Sequence, residues 1–356
     1  MESRINVGID LHKTQFTVCI LFEDEELAGG KVFRMDEEGY DSFISEIKSI
    51  QKKKKASGTA VAIESTANSR FFKEKMEKAG FEVVVVNTLR FKVINQSTRK
   101  TDKNDARTLA DFLSKEMLPK SHLCSPVNEG IRRILKCRSL MVQDCVALKN
   151  QAHAIMLAYG KVTKPTQFQS KKNRAALLGS LLKRDASLKY SLETLFETLD
   201  VIEGQVRTME RRLCAMTKAD RNVRLLMTIP GIGIVNACTI SAYIDDVSRF
   251  ETSGHFASFC GIVPWVQSSN ESSYYGRITK RGPQELRTAL VQCVVAMIRM
   301  GEKTKNTRLM KQYAVLKENK SSGKAIIATA RKLSTVIYVM LRDGVPFDIT
   351  KLSVNC

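Results

Sequence analysis

The sequence lacks the residue patterns of several common protein classes. Its nine cysteines are scattered singly, with no Cys-x-x-Cys pair, which favours reduced core thiols over a disulfide framework. The four histidines are equally dispersed, so their spacing predicts no zinc site, and we expect oxygen atoms to hold any bound metal. No apolar run approaches the roughly 18 to 20 residues that a membrane-spanning helix needs. We therefore expect no membrane-spanning segment.

Acidic residues are few in relation to basic ones. Lys and Arg number 57 against 37 Asp and Glu in 356 residues, a formal net charge of +20. Such an excess is typical of proteins that bind phosphate backbones, so we expect nucleic acid as the partner, with an anionic membrane surface as the competing explanation. The sequence opens on an apolar strand rather than a cleavable leader, which favours a bacterial cytoplasmic, nucleoid-associated protein.

The first 125 residues alternate between strand and helix patterns. Apolar runs at 4–22 and 30–35 predict an opening meander of three strands, and runs at 59–63 and 81–86 predict two more. Helical periodicity occupies 37–50 and 71–78 and begins again near Asp102. Three strands, helix, strand, helix, strand, helix is the order of the RNase H-like nuclease fold.

Four carboxylates lie where that fold places metal ligands. Asp10 interrupts an apolar strand, Glu64 ends a later one, and Asp102 and Asp105 project from one face of a helix start. A buried unpaired carboxylate is costly, and Mg²⁺ (or Mn²⁺) held by such acids would neutralise a scissile phosphate. For the helical pair alone, the alternative is that Asp102 caps the helix, with Asp105 in its first turn. The four acids in this order favour a metal site.

Residues 126–221 show heptad patterns typical of long helices. One apolar series runs from Ile131 to Tyr159 with an interruption at Arg138, and a second runs from Leu188 to Met216 in alternating steps of four and three. They predict a coiled-coil hairpin, whose seam pairs either within the chain or between subunits, and we expect a dimer or tetramer. The basic connector either contacts nucleic acid or is a solvated loop. Its cationic residues are Lys161, Lys164, Lys171, Lys172, Arg174, Lys183 and Arg184.

Residues 222–356 are predicted to be mainly helical. Pro230, Gly231 and Gly233 predict a tight turn between two helices, which resembles a helix-hairpin-helix and would offer backbone N–H groups to a phosphate. The alternative is a plain helix-to-helix turn with glycines for positive φ. Residues 261–282 have the composition of a loop, with several serines, the only tryptophan and a basic turn. With no histidine near them in sequence, the serines are not identified as nucleophiles by composition.

Short motifs distributed along the chain resemble one known family. They are Gly-Ile-Asp-Leu-His-Lys (Gly8 to Lys13), Ile-Glu-Ser-Thr (Ile63 to Thr66), Lys-Thr-Asp-Lys-Asn-Asp-Ala (Lys100 to Ala106), Ile-Pro-Gly-Ile-Gly (Ile229 to Gly233), Phe-Cys-Gly-Ile-Val-Pro (Phe259 to Pro264) and Gly-Arg-Ile-Thr-Lys-Arg-Gly (Gly276 to Gly282). In this order they are similar to the motifs of the DEDD transposases of the insertion-sequence family one-ten, relatives of the Piv and MooV invertases. The resemblance is nearly full length.

The resemblance implies an α/β RNase H-like (RuvC-like) catalytic domain over 1–125, a coiled-coil linker over 126–221 and a mainly α C-terminal transposase domain over 222–356. It assigns the metal and catalysis to the four acids Asp10, Glu64, Asp102 and Asp105. A catalytic serine is implied in the last domain. It aligns best with Ser269, although Asn270 replaces the glycine that usually follows, which leaves Ser268 as a second choice. The expected nucleic-acid contacts are Lys13, Gly231, Gly233, Arg277, Lys280 and Arg281.

Members of that family are similar in excising and inserting a mobile element through a covalent phosphoserine–DNA link. A structured guide (bridge) RNA pairs with double-stranded donor and target DNA. The positive net charge agrees with partners of this kind. The alternative enzyme is a Holliday-junction resolvase-like, Mg²⁺-dependent nuclease that uses the same acids with water as nucleophile. A third hypothesis is a nucleic-acid-binding scaffold in which the acids are structural.

Overall fold

Alternating apolar residues near the N-terminus form a mixed sheet in the computed structural model, which describes residues 3–23, 25–94, 101–181, 186–269 and 272–348. The chain divides into two compact units, residues 1–123 and 124–356. The first contains β1 (Ile5–Leu11), β2 (Gln15–Phe22), β3 (Glu25–Arg34), α1 (Glu37–Lys54), β4 (Thr59–Glu64), α2 (Ser69–Lys78), β5 (Glu82–Val86), α3 (Thr88–Ile94) and α4 (Asp102–Ser114). The sheet order is β3-β2-β1-β4-β5, with β2 antiparallel to β1 and to β3, and with β4 parallel to both β1 and β5.

The two faces of this sheet carry different residues, because successive side chains on a strand point to opposite sides. On one face, Ile5, Val7, Ile9 and Leu11 of β1 join a buried core with the aromatic residues of β2, α1 and α2. The other positions of β1 belong to the opposite face, which α4 covers. Asp10 is on that second face, so its carboxylate is separated from the larger core by the sheet.

Small residues let α4 pack directly on β1. A Cβ at Gly8 would lie 2.0 Å from the carbonyl oxygen of Ala106 and 2.4 Å from the backbone nitrogen of Ala110. Both alanines are fully buried. No side chain fits between this strand and this helix, so the first turn of α4 is held close to the end of β1.

The second unit is largely helical. It contains α5 (Pro126–Ala158), α6 (Lys171–Leu181), α7 (Ala186–Met216), α8 (Arg221–Met227), α9 (Ile234–Ile244), α10 (Ser253–Phe259), β6 (Pro264–Ser269), β7 (Ser272–Ile278), α11 (Gln284–Met300), α12 (Arg308–Asn319) and α13 (Ser322–Asp343), with 3₁₀ turns at Pro165–Phe168, Val247–Arg249 and Gly301–Lys303. Its main core joins α8 to α13 with the first turns of α5 and the end of α7. Nowhere in the described ranges is a helix both long and apolar enough to cross a membrane.

The two heptad series form the long helices α5 and α7, which pack against each other within the chain. Arg138, which interrupts the first series, donates hydrogen bonds from Nε and Nη2 to Glu210 of α7 at 2.8 and 2.6 Å. The interruption is therefore an ion pair between the helices. In the connector, Arg174 is 2% exposed and donates to the carbonyl oxygen of Phe168 at 2.8 Å, so this cation is committed to internal contacts. Lys183 and Arg184 lie outside the described residues.

The prediction of a mixed α/β N-terminal region and a helical C-terminal region is confirmed. The expectation of a loop over 261–282 is wrong, because β6 and β7 pair there as an antiparallel hairpin. Trp265, Val266, Tyr274 and Tyr275 are of residue types enriched in strands. Gly261 and Gly282 have φ of +69° and +94°, and a Cβ at Gly282 would lie 1.9 Å from the Phe259 carbonyl oxygen. The base of the hairpin is thus packed directly on the end of α10.

Candidate active site

Three side chains from β1, the turn after it and the start of α4 converge at one point. Nε2 of His12 lies 3.2 Å from Oδ2 of Asp10 and 3.1 Å from Oδ2 of Asp102. One ligand-type atom from each of the three residues lies within 4.8 Å of the others. The Asp10 side chain is 19% exposed and that of Asp102 is 54% exposed. The cluster therefore opens to solvent on the α4 side, where a substrate phosphate could reach it.

The turn after β1 holds His12 by its backbone. Its N–H donates to the Gln15 carbonyl at 3.0 Å, and its carbonyl accepts from Nδ2 of Asn68 at 3.3 Å. Asn68 lies in the segment after β4, where Ser69 Oγ donates to the Glu64 carbonyl at 2.9 Å. The β1–β2 turn and the end of β4 are therefore tied together beside the acids.

The first turn of α4 presents its acids without using them as caps. The N-cap is Thr101, whose Oγ1 accepts from the Asn104 backbone N–H at 3.2 Å. Asp102 is the first helical residue and Asp105 completes the first turn. The alternative that Asp102 caps the helix is therefore wrong. Its carboxylate is turned to His12 instead.

Electrostatics raise the pKa of Asp10 above its ordinary value. Burial is the largest cause, and the nearby charges of Asp102 and Asp105 act in the same direction, whereas His12 opposes them. Asp105 is thus close enough to Asp10 for the two charges to repel. Gathering carboxylates in this way is unfavourable unless a cation is shared among them.

Glu64 ends the strand next to β1. The parallel register pairs Ile9 with Ile63, so Glu64 follows at the same level as Asp10. Ile63 belongs to the larger core and Ala62 to the α4 side, which puts Glu64 on the same face as Asp10. The structure thus brings Asp10, Asp102 and His12 together, sets Asp105 within electrostatic range of Asp10, and aligns Glu64 with Asp10 across the sheet.

The residues at this point fit a divalent cation. Nε2 of His12 is buried and makes no well-aligned hydrogen bond, although two carboxylate oxygens lie within 3.2 Å of it. Carboxylate oxygens and imidazole nitrogen are both common metal ligands. His12 was not predicted as part of this site, because the four histidines are dispersed in the sequence and a residue in a turn follows no helix or strand periodicity. Its position two residues after Asp10 was the available signal.

Both candidate serines lie at the end of β6. The backbone register pairs Ser268 with Ser273 and Ser269 with Ser272. The structure describes only the backbone at these two positions, and Asn270 lies outside the described residues. The serines are therefore located at the tip of an antiparallel hairpin in the second unit, whereas the acids belong to the first.

The same hairpin carries exposed basic and aromatic side chains. Arg277, Lys280 and Arg281 are exposed, and so are Trp265, Tyr274 and Tyr275 at 47%, 67% and 66%. Exposed aromatic rings next to cations are typical of surfaces that stack on nucleic-acid bases. The aromatic residues were missed by the sequence analysis, since their exposure depends on the unexpected hairpin.

The remaining predicted nucleic-acid contacts are divided between two places. Lys13 is exposed in the turn after β1. Gly231 has φ of +86° in the turn between α8 and α9, and a Cβ there would lie 3.0 Å from the Met297 backbone nitrogen on α11. Gly233 is the N-cap residue of α9, and a Cβ there would meet nothing within 4 Å. The positive φ and the close packing explain why residue 231 is a glycine. The open space around Gly233 leaves the start of α9 accessible.

Comparisons with known proteins identify transposases as relatives of this chain. A DEDD transposase model of the IS110 type matches residues 7–160, and a model described as the transposase IS116/IS110/IS902 family matches residues 223–312. The transposase for insertion sequence element IS1328 of Yersinia enterocolitica is 26% identical over 345 residues, 96% of this chain and 98% of that protein. The transposase for insertion sequence element IS1111A of Coxiella burnetii is 24% identical over 340 residues, 94% and 89% of the two chains. The pilin gene-inverting protein of Moraxella lacunata is 29% identical over 216 residues, 55% and 66%.

Proposed function

We propose that this chain, a DNA transposase of the IS116/IS110/IS902 family, excises and inserts a mobile element at a carboxylate-bound Mg²⁺ (or Mn²⁺) site. The observation that carries the proposal is the cluster of Asp10, Asp102 and His12 within 4.8 Å. Its acids repel each other, and its histidine nitrogen is buried without a well-aligned hydrogen bond. A cation shared by these groups would remove both costs.

In this proposal Asp10, Glu64, Asp102 and Asp105 hold the metal at the end of β1. When bound, the cation supplies positive charge that neutralises the scissile phosphate. The acids fix the position of that charge, and α4 keeps two of them against β1 through the close approach at Gly8. This arrangement follows the RNase H-like catalytic domain that the family resemblance implies over 1–125.

The proposed nucleophile is Ser269, with Ser268 as the second choice. The serine oxygen loses its proton and forms a bond to a DNA phosphorus, and the sugar oxygen of the cut strand leaves and takes up a proton. The product is a phosphoserine ester, and attack by another strand's hydroxyl releases the serine and rejoins the DNA. Placement of both residues at a hairpin tip, where strands are commonly accessible, supports this role.

Double-stranded donor and target DNA and a structured guide RNA are the proposed partners. The net charge of +20 supports contact with many phosphates. Exposed Lys13, Arg277, Lys280 and Arg281 would bind the backbone, and the N–H groups at Gly231 and Gly233 would add contacts without sequence preference. We further propose that the protein acts at the bacterial nucleoid as a dimer or tetramer. The domains would be 1–125, 126–221 as a coiled-coil linker, and 222–356.

The test uses the native element with its noncoding ends on a plasmid in cells that express the protein. Excised circular junctions are counted by quantitative PCR for the wild type, Asp10→Asn, Ser269→Ala and Ser268→Ala, with Ser272→Ala as the matched serine control. We expect circles from the wild type and Ser272→Ala and only background from Asp10→Asn and Ser269→Ala. Removing the noncoding ends should abolish circles, and supplying their transcript in trans should restore them.

Each other outcome has a defined meaning. Circles from Ser269→Ala but not from Ser268→Ala would transfer the nucleophile to Ser268. Circles from both serine variants would reject the serine mechanism and favour attack by water, as in a resolvase-like nuclease. Circles from Asp10→Asn would reject the metal site.

A further inference from the structure

His12 brings a nitrogen atom into a cluster whose neighbouring groups are carboxylates. Its Nε2 lies 3.2 Å from Asp10 Oδ2 and 3.1 Å from Asp102 Oδ2. The side chain as a whole is 41% exposed, but Nε2 itself is buried. The imidazole therefore directs the buried end of its ring at the acids and leaves the rest of the ring towards solvent.

An ion pair is the simplest explanation of these contacts, but it fits the geometry poorly. A protonated Nε2 has one N–H group and can aim it at one oxygen. Here the nitrogen is nearly equidistant from two oxygens and is well aligned for a hydrogen bond with neither, although its closeness to Asp10 lowers the pKa of that acid against the effect of burial. A buried donor that is not satisfied is costly, so this position needs another stabilising partner.

A shared cation fits the two distances between His12 and the acids. Adjacent ligands of an octahedral cation with bonds of about 2.1 Å lie about 3.0 Å apart. The two nitrogen–oxygen distances, 3.2 and 3.1 Å, are close to that edge length. The backbone of His12 is also fixed on both sides, by Gln15 and by Asn68, as expected for a residue whose ring must be held in one place.

We propose that Nε2 of His12 is a direct ligand of the cation held by Asp10 and Asp102, and that it shifts the preference of the site from Mg²⁺ towards Mn²⁺. The inference rests on the metal site of the proposed function and goes beyond its four acids. Mg²⁺ is a hard cation that favours oxygen ligands. Mn²⁺ binds mixed nitrogen and oxygen sites more weakly than the later first-row metals do, but as a transition metal it accepts imidazole more readily than Mg²⁺ does.

The test is pulsed EPR on the full-length protein loaded with Mn²⁺, because an imidazole nitrogen bound to Mn²⁺ gives ¹⁴N modulation that water and carboxylates do not. We expect this modulation in the wild type, its loss in His12→Ala, and its persistence in His255→Ala, an exposed histidine control on α10. His12→Gln offers an amide oxygen in place of the nitrogen. It should bind Mn²⁺ without ¹⁴N modulation, and it serves as a second variant if His12→Ala does not fold.

Titration with each metal gives a second readout. We expect the dissociation constant for Mn²⁺ to rise at least about tenfold in His12→Ala, with a smaller change for Mg²⁺. Equal ¹⁴N modulation in the wild type and His12→Ala, or Mn²⁺ binding through Asp10 without any modulation, would overturn the ligand role and leave the proposed function intact. Wild-type Mn²⁺ binding no different from that of Asp10→Asn would overturn the metal site itself.

Discussion

Two clusters of charged side chains in this chain are built in opposite ways. Around Arg174, opposite charges are matched: its guanidinium contacts Asp200 and lies 3.2 Å from Glu203, and Lys149 adds a 2.8 Å contact to Glu203. Around Asp10, like charges are gathered, and the pKa of that acid is raised by burial and by its acidic neighbours. The first cluster is balanced in charge, although Nε of Arg174 is buried without a hydrogen-bond partner, whereas the second has a surplus of negative charge.

The difference separates a structural role from a functional one. The matched cluster links α5, α6 and α7 through ion pairs. A surplus of one sign is costly to stability, and such sites are commonly found where a substrate or cofactor supplies the missing charge. Removing a charge should therefore have opposite consequences in the two places: loss of fold at Arg174, and loss of function without loss of fold at Asp10.

The largest expected effect is that of Asp10→Asn on DNA cutting. We expect excision to fall by roughly 10² to 10³-fold or more, the loss typical of removing one electrostatic stabiliser of a transition state. Thermal unfolding without metal should occur at the same or a higher temperature than in the wild type, because a repelled charge has been removed. A large fall in the unfolding temperature would show that Asp10 has a structural role, and would contradict the contrast drawn with Arg174.

Arg174→Leu should have the opposite profile. Removing one partner of a buried ion pair typically costs roughly 3 to 5 kcal/mol, and we expect the lower end because Lys149 still pairs with Glu203 and Lys171 with Asp200. Denaturant unfolding measures the loss. The matched control is Lys171→Leu, an 85% exposed partner of Asp200, which should change stability by less than about 1 kcal/mol. Equal effects of the two variants would contradict the assignment.

Gly8→Ala should damage both fold and function, since it forces α4 away from β1. The added Cβ would meet backbone atoms at 2.0 and 2.4 Å, and overpacking of this kind costs roughly 1 to 3 kcal/mol. A displacement of about 1 Å at the acids is expected to slow cutting roughly 10²-fold. Gly58→Ala, where a Cβ meets nothing within 4 Å, is the control in the same unfolding and excision assays. An active, stable Gly8→Ala protein would show that the close approach does not position the site.

The smallest expected effect is a pH dependence in metal-free protein. The pKa of Asp10 is raised above its ordinary value of 3.8, chiefly by burial, so the folded form binds its proton more tightly than the unfolded chain does. Its favourable contribution is therefore complete below pH 3.8 and is lost as pH rises through the raised pKa. Measured in EDTA, the stability advantage of Asp10→Asn over the wild type should grow from acid to neutral pH. A constant difference would indicate that Asp10 is not destabilised by its neighbours.

The sequence predicts the elements of the first unit well because its periodicities are strong. The helix predicted over 37–50 is observed as Glu37–Lys54, and the strand predicted over 59–63 as Thr59–Glu64. The close approach at Gly8 and the cap at Thr101 could not be predicted, because both depend on contacts between elements. His12 was missed for the same reason: a turn residue has no periodicity that shows where its ring points.

The second unit was predicted less evenly. Heptad spacing indicated α5 and α7. The burial of Arg174 depends on acids 26 and 29 residues later in the chain, so the sequence alone did not distinguish it from the other cations of the connector. A loop was predicted in place of β6 and β7 because the stretch is rich in serine and contains a basic turn flanked by glycines. Pairing between strands, rather than local propensity, forms that element.

The most direct test of the account is thermal unfolding of the wild type and Asp10→Asn with and without Mn²⁺. A cation that binds only the folded state raises stability in proportion to the logarithm of its concentration over its dissociation constant. We expect Mn²⁺ to raise the unfolding temperature of the wild type but not that of Asp10→Asn, which should be at least as stable as the wild type in EDTA. An identical Mn²⁺ response in both proteins, or none in the wild type, would contradict the claim that the surplus charge at Asp10 is a metal site.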